Sequence, residues 1–286
     1  MLVRHLRKEA ARQNWLGVVI DLIILILGVF LGIQVNNWNT ARLDANKGVV
    51  YRERLVADLE ANLKDLDNRR VYYIATRDHA QAALDALDQP VGENPSGFLV
   101  DAYQASQIAP RKLRRFTYDE LISTGNVEIL GNATLRNRLA NYYTDATTME
   151  VIFDNVPPYR ENVRLGMPAQ AQQAVRTQCT EIIRFDDDGA STSTLPKDCA
   201  IAVKPSQARA DAAAVRAIPS VRPDLTRLIA DKDVKLQLLG WLREHLILMK
   251  SQIAPMDEVQ SLTSAFHPKR TLATSRAPSR QKKLLM

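Results

Sequence analysis

Apolar and polar residues follow three successive patterns along this chain. From Trp15 to Val35 there are 21 residues whose only clearly polar members are Asp21 and Gln34, and a bilayer core of ~30 Å requires about 20 apolar residues as helix. From Thr40 to Leu87 there is no proline and a single glycine, Gly48. There Leu55, Leu59, Leu66, Tyr73, Ala80, Leu84 and Leu87 recur at spacings of three, four or seven, the stripe of a helix packed on neighbours. If continuous with the apolar segment, this helix projects ~70 Å beyond it at 1.5 Å per residue. Asn62 and Arg69 or Arg70 interrupt the heptad, which favours a bundle helix over a free coiled coil.

Shorter helices follow, each set by its punctuation. The stretch QPVGENPSG (89–97) ends the long helix, and Phe98 to Ile108 forms the next, closed before Pro110. The basic run around Arg111, Lys112, Arg114 and Arg115 reads as a solvated loop and first helical turn, or as a contact with anionic headgroups if it folds back to a membrane. Thr117 to Thr124 is helical and stops at Gly125, and Asn132 caps a helix from Ala133 to about Asn155. A helix from Tyr159 to about Arg184 is broken near Gly166 and Pro168, and Ser206 to Ala217 is a further short helix. Asp224 to Ile253 is the second long helix, carrying Leu225, Leu228, Ile229, Leu236, Leu239, Trp241, Leu242, Leu246 and Met249. Arg243, Glu244 and His245 at the middle of its apolar run rule it out as a second span. The fold class is all-α: residues 1–14 a basic leader, 15–36 a transmembrane helix, 37–263 a helical extramembrane domain, 264–286 a disordered basic tail.

The apolar segment has its own polarity. Trp15 and Trp38 bracket it, where indole rings anchor at headgroups. A secretory signal peptide has a similar apolar core, but no small-x-small cleavage site closely follows Ile33, which favours a retained anchor. At 100° per residue Gly17, Asp21, Gly28 and Gly32 share a sector of about 60°. Gly28 and Gly32 form a small-xxx-small pair that admits a second helix. Two readings of this face stand side by side: glycines ordinary for a membrane helix with a snorkelling Asp21, or a helix-helix interface with Asp21 hydrogen-bonded across it. The partners this implies are the lipid bilayer and either a second copy or another membrane protein.

Charge changes the picture only at the ends. The formal net charge is +6, yet residues 1–14 carry +3 and residues 264–286 carry +6, leaving −3 for residues 15–263. A nucleic-acid surface on the body is therefore not supported. Four basic residues in the leader against Arg42 and Lys47 beyond the span favour a cytoplasmic N-terminus. Cys179 and Cys199 flank a polar loop; they are either a disulfide suited to an oxidising compartment or two free thiols. Together these point to a bacterial inner-membrane protein whose main domain is periplasmic.

The segments GVFLGIQVNNWN and TYDELISTGNVEILGNATLRNRLANYY (Thr117 to Tyr143) resemble a family of uncharacterised bacterial single-pass membrane proteins of unknown function. The family has a Q-x-N-x-W-N signature after its anchor, here Gln34 to Asn39. The resemblance covers Asp21 to about Tyr143; it implies an N-terminal anchor with a helical extramembrane domain, and no activity.

Candidate chemistry is sparse. His5, His79, His245 and His267 lie far apart with no zinc-ligand spacing, and no G-x-S-x-G, G-x-G-x-x-G or P-loop occurs. The STGN run lacks a P-loop lysine and reads as capping, Asp186 to Gly189 lacks EF-hand spacing, and Asn132-Ala-Thr134 matches a glycosylation sequon. Asp119 with Glu120, and Glu244 with His245, are adjacent and point to different helix faces. No catalytic residue, cofactor or metal site is assigned. The expected function is a membrane-anchored interaction or scaffold module rather than an enzyme; the alternatives are a membrane-bound enzyme without a recognisable motif and a sensory input module acting through a partner.

Overall fold

Helix α1 (Trp15–Ala86) runs without interruption for 72 residues. This computed structural model describes residues 15–185, 191–196 and 198–265, with side chains from Val19 to Ile253 within those ranges. The apolar segment and the stripe that follows it are therefore one helix, about 108 Å long at 1.5 Å per residue. No proline or glycine separates Gly32 from Gly48, and the polar Asn36–Thr40 stretch stays helical, the Thr40 hydroxyl donating to the Asn36 carbonyl at 3.0 Å. Every side chain from Val19 to Leu43 is exposed, and the body first covers α1 near Gly48. There the helix passes a 3-10 turn (Val127–Leu130) so closely that a Cβ on Gly48 would sit 2.7 Å from the Ile129 carbonyl oxygen.

The second long helix, α8 (Val221–Ala265), returns antiparallel along α1. Ion pairs mark the register: Arg222 to Asp88 at 2.6 Å, Arg77 to Asp233 at 2.9 Å, Arg243 to Asp67 at 2.6 Å and Lys250 to Glu60 at 2.6 Å. Pro223 falls in the first turn of α8, where its missing N–H leaves no helical bond unmade, so the helix starts three residues before the expected Asp224.

Between these two long helices and α4 (Ala133–Asp154) lies the first of two apolar cores. Leu55, Leu59 and Leu66 of α1 meet Leu139, Tyr142 and Phe153 of α4 and Leu242, Leu246 and Ile253 of α8. Asn132 caps α4 as expected, accepting from the Thr134 amide at 2.8 Å. The second core sits at the far end of α1, built from Ala80 and Ala83 with α2 (Pro95–Ala105), α5 (Pro158–Gly166), α6 (Ala169–Gln178) and α7 (Pro205–Arg216). Helix α2 begins three residues before the expected Phe98 because Asn94 caps it, accepting from Gly97 N at 3.0 Å, with Pro95 behind it. Helix α3 (Phe116–Ser123) ends on Gly125 at φ +68°. The Asn126 amide donates to Leu121 O and the Gly125 amide to Ile122 O, a Schellman closure.

One expected helix ends early. Instead of continuing to Arg184, the chain leaves α6 at Gln178 and forms a hairpin of β1 (Ile182–Phe185) and β2 (Ser191–Thr194), antiparallel with Ile182 opposite Thr194. Its Ile, Phe and Thr residues favour extended backbone, and the Cys179–Cys199 disulfide, with Cα atoms 5.6 Å apart, draws the two ends together. The architecture remains all-α, with this hairpin as its one strand pair among the described residues. The leader, Asp186 to Gly189 and residues 266–286 lie outside the described residues, while Ser264 and Ala265, expected in the tail, belong to α8.

Gly48 and Gly240 form a matched pair for test. Gly48→Ala is expected to lower stability by about 1–3 kcal/mol through overpacking against the 3-10 turn. Gly240→Ala, where a Cβ meets nothing within 4 Å, is expected to raise it by about 1 kcal/mol. Urea melts of the full chain in detergent, followed by near-ultraviolet circular dichroism, measure both; equal shifts would contradict the close approach at Gly48.

Candidate functional site

Two regions concentrate unusual chemistry: the bare half of α1 and a polar band inside the bundle. The described part of the bare half is long and apolar enough to cross a membrane, with a mean hydropathy of 2.3 over its best window, none of it buried. Gly28 and Gly32 have nothing within 4 Å of where a Cβ would stand. Asp21 is exposed, and Trp38 is 63% exposed. Trp15 and Gly17 lie on the first turn of α1, and their side-chain surroundings fall outside the described residues. By helix geometry Gly28 and Gly32 sit about 180° around α1 from Leu59, Leu66 and Tyr73. The small-residue face is thus turned away from the chain's own bundle.

The polar band runs from within the first core, at Asn62 and Arg69, to the gap between the two cores, at Lys232 and Lys235. Asn62, which breaks the sequence heptad, is 1% exposed and grips the chain before α3 with both ends of its amide. Its Nδ2 donates to Arg114 O at 2.8 Å and its Oδ1 accepts from Arg114 N at 2.7 Å. Asp58 accepts from Thr117 N at 3.0 Å, and Glu150 from Leu113 N at 2.8 Å. These three side chains supply partners that an irregular, part-buried backbone would otherwise lack.

This strap carries the basic run Arg111 to Arg115 alongside α1 at the height of Asn62, roughly 35 Å of helix rise beyond Trp38. The run therefore packs on the bundle part of α1 and does not fold back to the bare apolar segment. Arg111 instead donates to Ser191 O and Ser193 Oγ of β2 and lies 3.7 Å from Asp65. Arg115 pairs with Asp119 at 2.9 Å and lies over the Tyr143 ring.

Further in, α8 contributes two buried lysines. Lys232 and Lys235 are each 1% exposed. Lys232 Nζ donates to Thr76 Oγ1 at 2.9 Å and to Gln107 O at 3.4 Å, above the Tyr73 ring. Burial, and then the charge of Lys235, push its amine down to about 7. Lys235 pairs with Asp231 at 3.0 Å, and Arg69 with Asp65 at 2.6 Å. Burial pushes the Tyr73 hydroxyl up to about 12 and raises those of Tyr72, Tyr142, Tyr143 and Tyr159 further.

A third basic group gathers where α2 ends. Arg160 donates to Ser106 O at 2.7 Å, Arg164 to Ser106 Oγ at 3.0 Å and Gln107 Oε1 at 2.9 Å, and Arg176 to Tyr103 OH at 2.9 Å. Cations are favoured at a helix C-terminus. Burial and then the neighbouring Arg160 lower Arg164 from the usual guanidinium value. The side chains are spent on backbone and side-chain partners of the same chain, the chemistry of a structural clasp.

The sequence pairs are not brought together. Asp119 pairs with Arg115, while Glu120 accepts from the Tyr51 hydroxyl at 2.8 Å. His79 Nδ1 lies 2.7 Å from Asp101, and His245 stacks edge-on against Trp241, with Glu244 exposed beside it. Among the described residues no three His, Cys, Asp or Glu side chains converge as a metal site. An open groove of about 340 Å³, lined by Leu87, Arg216, Ile218, Pro219, Val221 and Arg222, lies at the end of the bundle far from the bare half of α1. The lysines were missed in sequence although the stripe through Leu225, Leu228, Leu239 and Leu242 passes straight through positions 232 and 235; carrying the period across polar residues finds them. Comparison with family models, with curated proteins and with solved structures returns no match.

Lys232 makes stability depend on pH. An unfolded lysine titrates near ~10.4 and the folded one near about 7, so between those values the unfolded chain holds a proton that the folded chain has released. Stability therefore rises as pH climbs from about 7 toward 10, by on the order of a few kcal/mol, and the full burial cost applies below that window. Lys232→Met is expected to flatten this rise in urea melts across pH; an unchanged rise would assign it to another group.

Proposed function

We propose that this protein is a single-pass bacterial inner-membrane protein, N-terminus cytoplasmic and body periplasmic, whose helical bundle serves as an interaction or scaffold module. The observation that carries this reading is α1 itself. One helix supplies both a bare apolar segment and the spine of a packed bundle, so whatever the bundle holds is tethered to the bilayer at fixed height. Lys232, Asp58 and Glu150 tie helices and strap together, while Arg69 and Lys235 pair within their own helices, an arrangement that supports binding over catalysis. The Gly28 and Gly32 face, pointing away from the bundle, favours a helical partner in the membrane, either a second copy or another membrane protein. Asp21, about 9 Å inside Trp15, would hydrogen-bond across that interface.

Orientation rests on the basic leader and the disulfide. A disulfide closing a segment of sequence separation 20 is worth roughly 3 kcal/mol by loop-closure entropy and persists in an oxidising compartment. The expected outcome of thiol labelling on unreduced membranes is no reaction at Cys179 or Cys199, and of a C-terminal reporter fusion, periplasmic-type activity. Labelled thiols together with cytoplasmic-type activity would reverse the placement.

For the membrane face, Gly28→Leu and Gly32→Leu are each expected to reduce association in a membrane two-hybrid assay, tested first with the chain against itself. Native-membrane crosslinking then identifies a different partner. If neither substitution alters self-association or the crosslinked products, this face is not an interface.

A further inference from the structure

We propose that Arg160, Arg164 and Arg176 form the binding site of a doubly charged oxyanion, phosphate or sulfate; the inference stands independently of the membrane reading above. The three side chains come from α5 and α6 and converge where α2 ends. Arg160 Nη1 donates to the Ser106 carbonyl at 2.7 Å and Arg164 Nε to the Ser106 hydroxyl at 3.0 Å. Arg164 also lies over the Tyr103 ring, 4.5 Å from its centroid, and Arg176 Nε donates to the Tyr103 hydroxyl at 2.9 Å. Guanidinium groups that share a residue in this way stand on the order of 6 Å apart, two hydrogen bonds of ~3 Å, a span that one tetrahedral anion bridges.

What the clasp lacks is negative charge. Its acceptors, a carbonyl, a hydroxyl, the Gln107 amide oxygen and a phenol, are all neutral. Among the described residues Arg69, Arg77 and Arg243 each find an aspartate, and none of these three arginines is ion-paired. Burial, then the like charges of Arg160 and Arg176, act against the charge on Arg164. Lys232 adds a further basic group, its Nζ 3.4 Å from the Gln107 carbonyl. Partly buried cations that repel one another are stabilised by an anion that joins them. The bonds within the clasp leave Arg160 Nε and Nη2, Arg164 Nη1 and both Nη atoms of Arg176 to a ligand, and Arg176 is exposed, so the site opens to water. Planar guanidinium forks match the paired oxygens of phosphate or sulfate, and three of them balance two negative charges better than one. Through Lys232 the site lies level with Thr76, ~57 Å of helix rise beyond Trp38. A headgroup in a bilayer entered by the bare half of α1 is out of reach, which leaves an ion from solution.

The test is isothermal titration calorimetry of the full chain in a non-ionic maltoside detergent at about pH 8, where phosphate is mostly doubly charged. Sodium phosphate, sodium sulfate and sodium chloride are compared at matched ionic strength. Expected is saturable binding of phosphate or of sulfate, absent with chloride; whichever binds more tightly names the ion, and both outcomes support the site. Arg176→Gln is expected to weaken that binding about tenfold. Tyr103→Phe removes the same hydrogen bond but keeps all three cations, and is expected to retain binding within about threefold. Circular dichroism spectra equal to that of the parent show both variants to be folded. Phosphate and sulfate heats no larger than those of chloride overturn the proposal, as does binding that survives Arg176→Gln. Equal losses in Arg176→Gln and Tyr103→Phe overturn it too, assigning the effect to the structure of the clasp.

Discussion

The structure depends on a seam between two long antiparallel helices, and the seam has to satisfy two requirements at once. Along α1 the residues Leu55, Leu59, Leu66 and Tyr73 repeat at the spacing that keeps one face on a neighbour. Along α8 the same repeat answers with Leu239, Leu242, Leu246, Met249 and Ile253. Apolar repeats alone tolerate a slip by a heptad, because each leucine then meets another leucine. Charges spaced along both edges, Asp88, Arg77, Asp67 and Glu60 against Arg222, Asp233, Arg243 and Lys250, mark the register but survive one such slip, which sets Lys250 by Glu53, Arg243 by Glu60 and Asp233 by Arg70. Each exposed pair contributes little stability; the buried contact of Lys232 with Thr76 discriminates more sharply, since that slip would bring Lys232 to Arg69. The remaining elements take their positions from the seam: α4 closes the first core, and α2 with α5 to α7 closes the second.

Within the first core and beyond it toward the second, the seam changes character. Lys232, Lys235, Arg69 and Asn62 occupy positions that the apolar period would give to leucine. Replacing such groups by apolar ones is often neutral or stabilising in other proteins, so their presence calls for a structural cause. Here the cause is the irregular chain from Gln107 to Arg115, which crosses α1 without a helix or sheet of its own. Its carbonyls and amides find partners in Asn62, Lys232 and Glu150, while Asp58 takes the Thr117 amide in the first turn of α3. Part of the polar interior is thus the counterpart of a strap that a leucine-filled seam would leave unsatisfied.

How far the chain could be read in advance follows from the same division. The two long helices, the cap at Asn132 and the stop at Gly125 were legible because each depends on neighbours within a few residues. The Ile182–Phe185 strand was not, because four residues, Ile-Ile-Arg-Phe, after a helix carry no period to separate strand from helix; its partner begins at Ser191 and the hairpin's ends are tied by the disulfide. Asn62 and Arg69 were legible as interruptions, but what they hold, 52 residues away for Asn62, is fixed by tertiary packing. Of the candidate site, the Gly28 and Gly32 face follows from helical angle alone, and so does the burial of Lys232 and Lys235, whereas what Lys232 holds, Thr76 and Gln107, is fixed by tertiary packing.

The unbroken passage of α1 from its bare half into the bundle has a mechanical consequence. With no proline or glycine between Gly32 and Gly48, there is no swivel between the apolar segment and the load it carries. Any tilt of the lower half is a tilt of the whole rod. Fifty-one residues separate Val35 from Ala86, a lever arm of ~77 Å, so an inclination of about 20°, ordinary for a membrane helix, displaces the distal end by about 26 Å. If the bare half spans a bilayer as proposed, such a rod converts small changes in bilayer thickness, or in what packs against its lower half, into large lateral sweeps of the groove at its tip.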